Sequence, residues 1–364
     1  MTSSVLRHRS IPAVTAALVL ALPAVVPSVY GFHPFDVFAA QTASVTPELK
    51  REIHADMDFL ASDELHGRGS ATRDEHLAAL FAASQFQTLG LEPGGDNGTY
   101  IQRAALPDPL PARVQKRFER NEPTPHKETW NAIAILRGTS APNEVILLTA
   151  HLDHLGMLAA ATAPAGTTDL IYNGADDDAS GTTAVLAVAH MLATGKRPRR
   201  TIVFALFGSE EIGGYGNRAF LDHPPVPLNS IVANLEFEMI GRADPAAGKD
   251  SKTLWLTGYE RSNLGPELAK HGAPLVQDPH PTEHFFERSD NIALARQGII
   301  AQTVSSFGLH KDYHQVTDEI RTIDFDHLAG AIAGMAGPVR WLADSDFKPQ
   351  WNPGGRPQPS QPKQ

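Results

Sequence analysis

From residue 143 onward, the hydrophobic positions come in short, nearly continuous runs separated by segments with helical spacing. Val145–Thr149, Thr201–Phe207, Ile231–Phe237, Thr253–Thr257 and Ile299–Val304 have the length and composition of buried strands. Ser180–Ala193, Leu264–Lys270 and Ser289–Gln297 between them read as helices. Strands alternating with helices predict an α/β fold: a three-layer sandwich with a mixed, mainly parallel central sheet.

Upstream, Thr46 is an N-cap candidate, Pro47 suits a first helical turn, and Leu49, Ile53, Met57 and Leu60 mark one apolar face. A helix is therefore expected over Thr46–Leu60. A second helical pattern runs from about Glu75 to Leu89 and stops at Gly90, and Asp324–Ala343 reads as a final amphipathic helix. Pro107–Lys127 is rich in Pro, Arg and Glu with little periodicity and reads as an irregular connection. There is no internal repeat and no second nucleus of strands, so one catalytic domain is expected over residues 46–345. Residues 348–364, rich in Pro, Gly and Gln, are expected to be an unstructured tail.

Residues 1–40 follow a different pattern. Arg7 and Arg9 precede an apolar stretch from Ile11 to Val26, and small residues follow near Ala39 and Ala40. This is the layout of an export signal, placing the mature protein in the periplasm or outside the cell. Pro12, Pro23 and Pro27 interrupt a marginal span, so no stable membrane insertion is expected after cleavage.

Composition narrows the chemistry. The 364 residues carry 41 acidic against 31 basic side chains, a formal charge of −10, which opposes a general nucleic-acid footprint. With no cysteine, disulfides, thiol nucleophiles, iron–sulfur clusters and thiolate zinc sites are excluded. Any metal must be held by carboxylates and by some of the 16 histidines.

Polar outliers gather where the apolar runs end, the position at which α/β sheets collect functional groups. The first run ends in His151-Leu-Asp153-His154, the second in Gly208-Ser-Glu210-Glu211 and the third in Glu238-Met-Ile-Gly-Arg242. Asp176, Asp177 and Asp178 sit together just before the helix at Ser180, and Tyr313-His314 lies in Lys311–Asp318. Imidazoles and carboxylates without thiolate suit zinc, with manganese or cobalt as alternatives. Two histidines and at least three carboxylates exceed the three protein ligands of a single catalytic zinc. Two metals about 3.5–4 Å apart, sharing one carboxylate, account for the surplus.

Plainer readings stand beside these. An acidic triplet alone is more often an exposed turn, and Asp178 and Ser180 suit a helix cap. His154 reads as structural rather than ligating. His280 and His284 read as loop residues, with Phe285 and Phe286 as possible pocket borders. Arg288 and Asp290 suggest an ion pair, and Arg68 and Arg242 have no evident role.

Taken in order, His151-x-Asp153, Gly-Ala-Asp-Asp177-Asp-Ala-Ser-Gly, Ser-Glu210-Glu211, Glu238-Met-Ile-Gly and Tyr313-His314 resemble metallopeptidase family 28. These are di-zinc aminopeptidases related to plasma glutamate carboxypeptidase and to glutaminyl cyclases. The resemblance runs from about Thr46 to Ala343 and includes Phe59–Arg68 and Arg288-Ser-Asp290-Asn. It implies two Zn²⁺ ions bridged by Asp177, with His151 and Glu238 completing one site and Glu211 and His314 the other. It implies Glu210 as general base, Tyr313 as oxyanion donor and Asp153 as the group orienting a ligand histidine. Asp178 would follow a cis peptide and fix backbone, leaving Asp176 outside the chemistry. The chain departs from the more familiar Asn-Leu-Asp-Met in having Asn234-Leu-Glu236-Phe-Glu238-Met, and the Met-Ile-Gly that follows favours Glu238. The implied function is zinc-dependent removal of the first residue from peptides with a free N-terminus, by attack of hydroxide carried on the metal pair. A carboxypeptidase or dipeptidase on the same site, and an inactive binding domain of this fold, are the alternatives.

Overall fold

The structure is a computed structural model that describes residues 44–122, 125–163 and 165–359. The export signal expected over residues 1–40 and the last five residues lie outside the described residues. Among the described residues, no helix is long and apolar enough to cross a membrane.

Among the described residues, nine strands form the main sheet: β1 (Glu92–Pro93), β2 (Ile101–Ala105), β3 (Glu128–Leu136), β4 (Ala141–His151), β5 (Arg200–Phe207), β6 (Ile231–Phe237), β7 (Leu254–Leu256), β8 (Leu275–Gln277) and β9 (Ala301–Ser305). Their order is β1–β3–β5–β4–β6–β9–β7–β8, with β2 also against β3. The central four, β5–β4–β6–β9, are parallel. β1, β2 and β3 join antiparallel on one flank, and β7 joins β9 antiparallel on the other. Parallel strands need both faces covered, which is why β5 is buried along its whole length and the Val145–His151 half of β4 likewise.

Alternation along the strands sends neighbouring side chains to opposite layers. Ile146, Leu148, Phe204 and Leu206 face a layer built by α1 (Pro47–Leu60), α2 (Arg73–Thr88), α4 (Gly181–Ala193) and α8 (Phe325–Asp344). Leu147, Val203 and Ala205 face the layer of α5 (Tyr215–Asp222) and α7 (Asn291–Arg296). The α6 helix (Leu264–Lys270) packs beside β8, and its Leu264 and Leu268 join the first layer. Thr46 caps α1 by accepting from the Leu49 amide, and Thr72 starts α2 by accepting from Asp74 and Glu75.

Two expectations from composition need correction. Pro107–Lys127 is not wholly irregular: it contains the short helix α3 (Ala112–Phe118), and the strand β3 that follows begins at Glu128. The described part of the expected loose tail lies against the domain. The Trp351 indole donates to the Gly298 carbonyl (3.2 Å) and meets the Phe286 ring edge-on, and the Asn352 amide donates to Arg261. One indole with a ring and a carbonyl to meet anchors a segment whose average composition is polar.

Candidate metal centre

The carboxyl ends of β4, β5 and β6 open onto one crevice, and the loop after β9 closes it. His151 is the last residue of β4, Glu210 and Glu211 follow β5, and Glu238 follows β6. Between β4 and α4, the chain delivers Asp177 through a turn that requires Gly174 in the left-handed region (φ +59°). A Cβ there would sit 2.2 Å from the Asp177 carbonyl and 2.5 Å from the His154 ring. The Asp177–Asp178 peptide is cis.

The Asp177 carboxylate faces two clusters, one with each oxygen. Oδ1 lies 3.2 Å from His151 Nε2, which is 3.9 Å from Glu238 Oε1. Oδ2 lies 3.2 Å from His314 Nε2, which is 3.2 Å from Glu211 Oε1. His154 joins this second cluster, its Nδ1 standing 3.0 Å from Glu211 Oε1 and 3.7 Å from Asp177 Oδ2. His151 Nε2, both ring nitrogens of His154 and Glu211 Oε1 are buried without a hydrogen-bond partner. Buried polar atoms are rarely left so. Nitrogens and carboxylate oxygens converging at such separations form a donor set of the kind zinc takes. The residues fit the metal.

The surrounding contacts explain how the cage is held. Asp178 accepts from the backbone amides of His151, Gly181 and Met239, tying the end of β4, the first residue of α4 and the segment after β6 together; the Ser180 hydroxyl donates to the Asp176 carbonyl. Asp153 does not orient His151 through its carboxylate. The ring Nδ1 lies 3.0 Å from the Asp153 carbonyl oxygen and 3.8 Å from its Oδ1. That carboxylate accepts from Ser70 Oγ and from the backbone amides of Glu210 and Glu211, fixing the strand end that carries them.

Asp176 is also not an outer residue. It is fully buried, accepting from the Gly241 amide and pairing with His310 Nε2 at 2.9 Å. Beside it, Arg242 bridges Asp312 and Asp318, and the Asp318 carboxylate accepts from the Asp176 and Asp177 amides. Arg242 therefore ties the loop after β6 to the loop that carries Tyr313 and His314. Arg68, fully buried, donates to the carbonyls of Leu60, Leu152, Asn173 and Gly174. Arg288 and Asp290 do not pair: Arg288 reaches Glu283, while Asp290 accepts from Asn217. Glu236 is not part of either cluster; it accepts from the Asn291 amide and the Thr303 hydroxyl.

Burial, together with the Asp290, Glu211 and Glu238 carboxylates, pushes the Glu210 carboxyl well above its usual range against the pull of His151. Burial likewise lifts Glu238 to about 7, with His151 opposing. Burial and the nearby Asp177, Glu211 and Glu238 raise the Tyr313 phenol, so it stays protonated at neutral pH. Tyr313 stacks on His314 with ring centres 3.9 Å apart. It lines a cavity of about 30 Å³ with Glu238, Trp255, Phe285, Arg288 and Phe307. Phe286 packs away from this cavity, against Trp351.

Paired His–carboxylate clusters at the carboxyl ends of parallel strands define a metallopeptidase class of α/β protein. The chain belongs to Peptidase family M28, whose pattern matches residues 131–336, more than half of its length. It is 32% identical over 224 residues to a vacuolar membrane protease of Candida tropicalis, covering 59% of this chain and 22% of that protein. It is 26% identical over 230 residues to leucine aminopeptidase 1 of Ajellomyces capsulatus, covering 60% and 57%. The chain thus spans well under two thirds of these relatives' own length. In structure it resembles a zinc aminopeptidase from Bacillus subtilis, with a TM-score of 0.58 at 16% identity, over 82% of this chain and 95% of that one. That likeness concerns the fold.

Proposed function

We propose that this chain is an exported zinc-dependent aminopeptidase that removes the first residue of peptides with a free N-terminus. The observation that carries the reading is Asp177, whose two oxygens face separate His–carboxylate clusters. His151, Asp177 and Glu238 would hold one zinc; Asp177, Glu211, His314 and His154 would hold a second. Zinc bound there supplies a Lewis acid for the peptide carbonyl and makes water a stronger nucleophile at neutral pH.

The chain's own groups do the rest. Glu210, half-buried among carboxylates that raise its proton affinity, accepts a proton from the attacking water and passes it to the leaving amine. The Tyr313 hydroxyl, kept protonated, donates to the oxyanion of the tetrahedral species. The acidic surroundings of Glu210 and Glu238 favour a positively charged α-ammonium group, which directs cleavage to the chain end. The aromatic wall of Trp255, Phe285 and Phe307 suits an apolar first side chain. An inactive binding domain would need neither Glu210 nor Tyr313.

Purified protein is expected to hydrolyse leucine anilides, to lose activity on chelation and to regain it with Zn²⁺. Glu210→Gln should lower kcat by about 10²–10⁴ while two zinc ions per chain remain. Full turnover after exhaustive chelation, or in the Gln variant, would refute the mechanism.

A further inference from the structure

A second cavity, of about 500 Å³, opens beside α3, apart from the aromatic one. Its walls include Arg113, Lys116, Arg117 and Arg120, with Leu155, Leu158 and Tyr172. Arg113, Lys116 and Arg117 follow i, i+3, i+4 spacing and share one face of α3, and Arg120 lies in the turn just beyond its end. Arg113, Lys116 and Arg120 have no carboxylate partner among the described residues, and Glu119 is the one acid in the lining. In a chain of net charge −10, such a face is a local exception.

Its position links it to the centre. Arg117 Nη1 donates to the Glu211 carbonyl at 3.0 Å and lies 3.7 Å from Glu211 Oε2. Leu155 follows His154 directly, and Tyr172 lies two residues before Gly174. Arg117 thus links the basic cavity to Glu211 of the His154–Asp177–Glu211 cluster, whereas Glu238 itself lines the aromatic cavity. A peptide lying across the centre, with its first side chain among Trp255, Phe285 and Phe307, would extend its remaining residues toward α3.

We propose that the α3 face is a subsite for a substrate carboxylate on the leaving-group side of the cleaved bond. This rests on the aminopeptidase reading and narrows it to short or acidic peptides. Two sources carry that chemistry: the C-terminal carboxylate of a di- or tripeptide, and an acidic side chain in the second or third position. Several cations in one partly enclosed cavity attract a carboxylate more strongly than a single exposed pair, and the effect is screened by salt.

The test uses matched substrates and the intact, zinc-loaded protein. One arm compares Leu-Gly-Gly as free acid and as amide; the other compares Leu-Asp-Gly-amide with Leu-Asn-Gly-amide. The proposal expects kcat/KM to favour the carboxylate by about tenfold in at least one arm at low ionic strength, carried by KM, with the preference fading in high salt. Which arm responds identifies the source. In Arg113→Ala/Lys116→Ala/Arg120→Ala, a variant that spares the Arg117–Glu211 contact, the preference should fall to near unity. Equal rates within both pairs, or a preference that survives the triple substitution, would overturn the subsite. Failure to cleave any of the four peptides would instead overturn the aminopeptidase reading.

Discussion

Arg68 offers the sharpest test of how the cage is built. Its guanidinium donates to Leu152 O at 2.9 Å, Asn173 O at 2.6 Å, Gly174 O at 3.0 Å and also Leu60 O. One side chain thus joins the end of α1 to the segment between His151 and Asp153 and to the segment before Asp177. Burial lowers its pKa to about 10, against the pull of Asp178, Asp153, Asp177 and Asp318, so it remains charged at neutral pH. Arg68→Met keeps most of the stem and removes every donor. Each stranded carbonyl costs about 1–3 kcal/mol, while removing a buried cation returns part of its desolvation cost. The net loss expected is about 3–5 kcal/mol, the range for breaking a buried charged network from one side. Urea unfolding of the metal-free protein reads this directly, and zinc competition with a chromophoric chelator should show affinity lower by about 10–100-fold. Arg68→Lys should recover less than half of the loss, because a compact ammonium cannot serve carbonyls on several sides at once. A loss below about 1 kcal/mol in the Met variant, with zinc affinity unchanged, would refute this account.

Other expectations concern groups away from the chemistry. Burial, with the Glu52 carboxylate adding, lifts the Asp56 carboxyl from 3.8 to about 7, so its ionisation opposes folding. The stability this group allows is present in full below pH 4 and is lost as pH rises through 7. Asp56→Asn should therefore gain roughly 2–4 kcal/mol over wild type at pH 8 and little at pH 4, measured by denaturant titration at both. Arg242→Met strands the buried Asp176 and Asp318 carboxylates and should cost about 3–5 kcal/mol by the same assay, with zinc held less tightly as the His314 loop loosens. Truncation after Phe347 removes the Trp351 contacts and should lower stability by about 1–3 kcal/mol in thermal unfolding; an unchanged midpoint would mean those contacts contribute nothing.

Some features of the site were legible because residue type alone implies them. Carboxylates beside apolar runs, and histidines in a chain without cysteine, point to a metal wherever they end up. His154 was less legible: an imidazole next to Asp153 reads equally well as packing, and only its orphaned ring nitrogens against Glu211 and Asp177 separate the two readings. The cations of α3 were not legible as a group, because the Pro-rich stretch around them concealed the helix that aligns them. The strand Glu128–Leu136 was not among the expected ones, because it precedes the alternating pattern that starts at residue 143, and nothing local shows that it lies antiparallel at the margin of a parallel core.

The sequence by itself determined the alternation of buried strands and helices, since a run apolar on both faces must be covered on both. It also determined the donor types available to a metal, since side-chain chemistry does not depend on context. Tertiary structure alone decided which groups serve the cage and which hold it. Arg68 meets carbonyls up to 106 positions away, and Asp318 meets the amides of residues 176 and 177. Such pairings depend on how loops from separate strand ends converge. Neighbouring aspartates that look equivalent on the chain therefore take different partners in space: Asp177 the imidazoles, Asp178 the backbone amides, Asp176 the loop bearing His310.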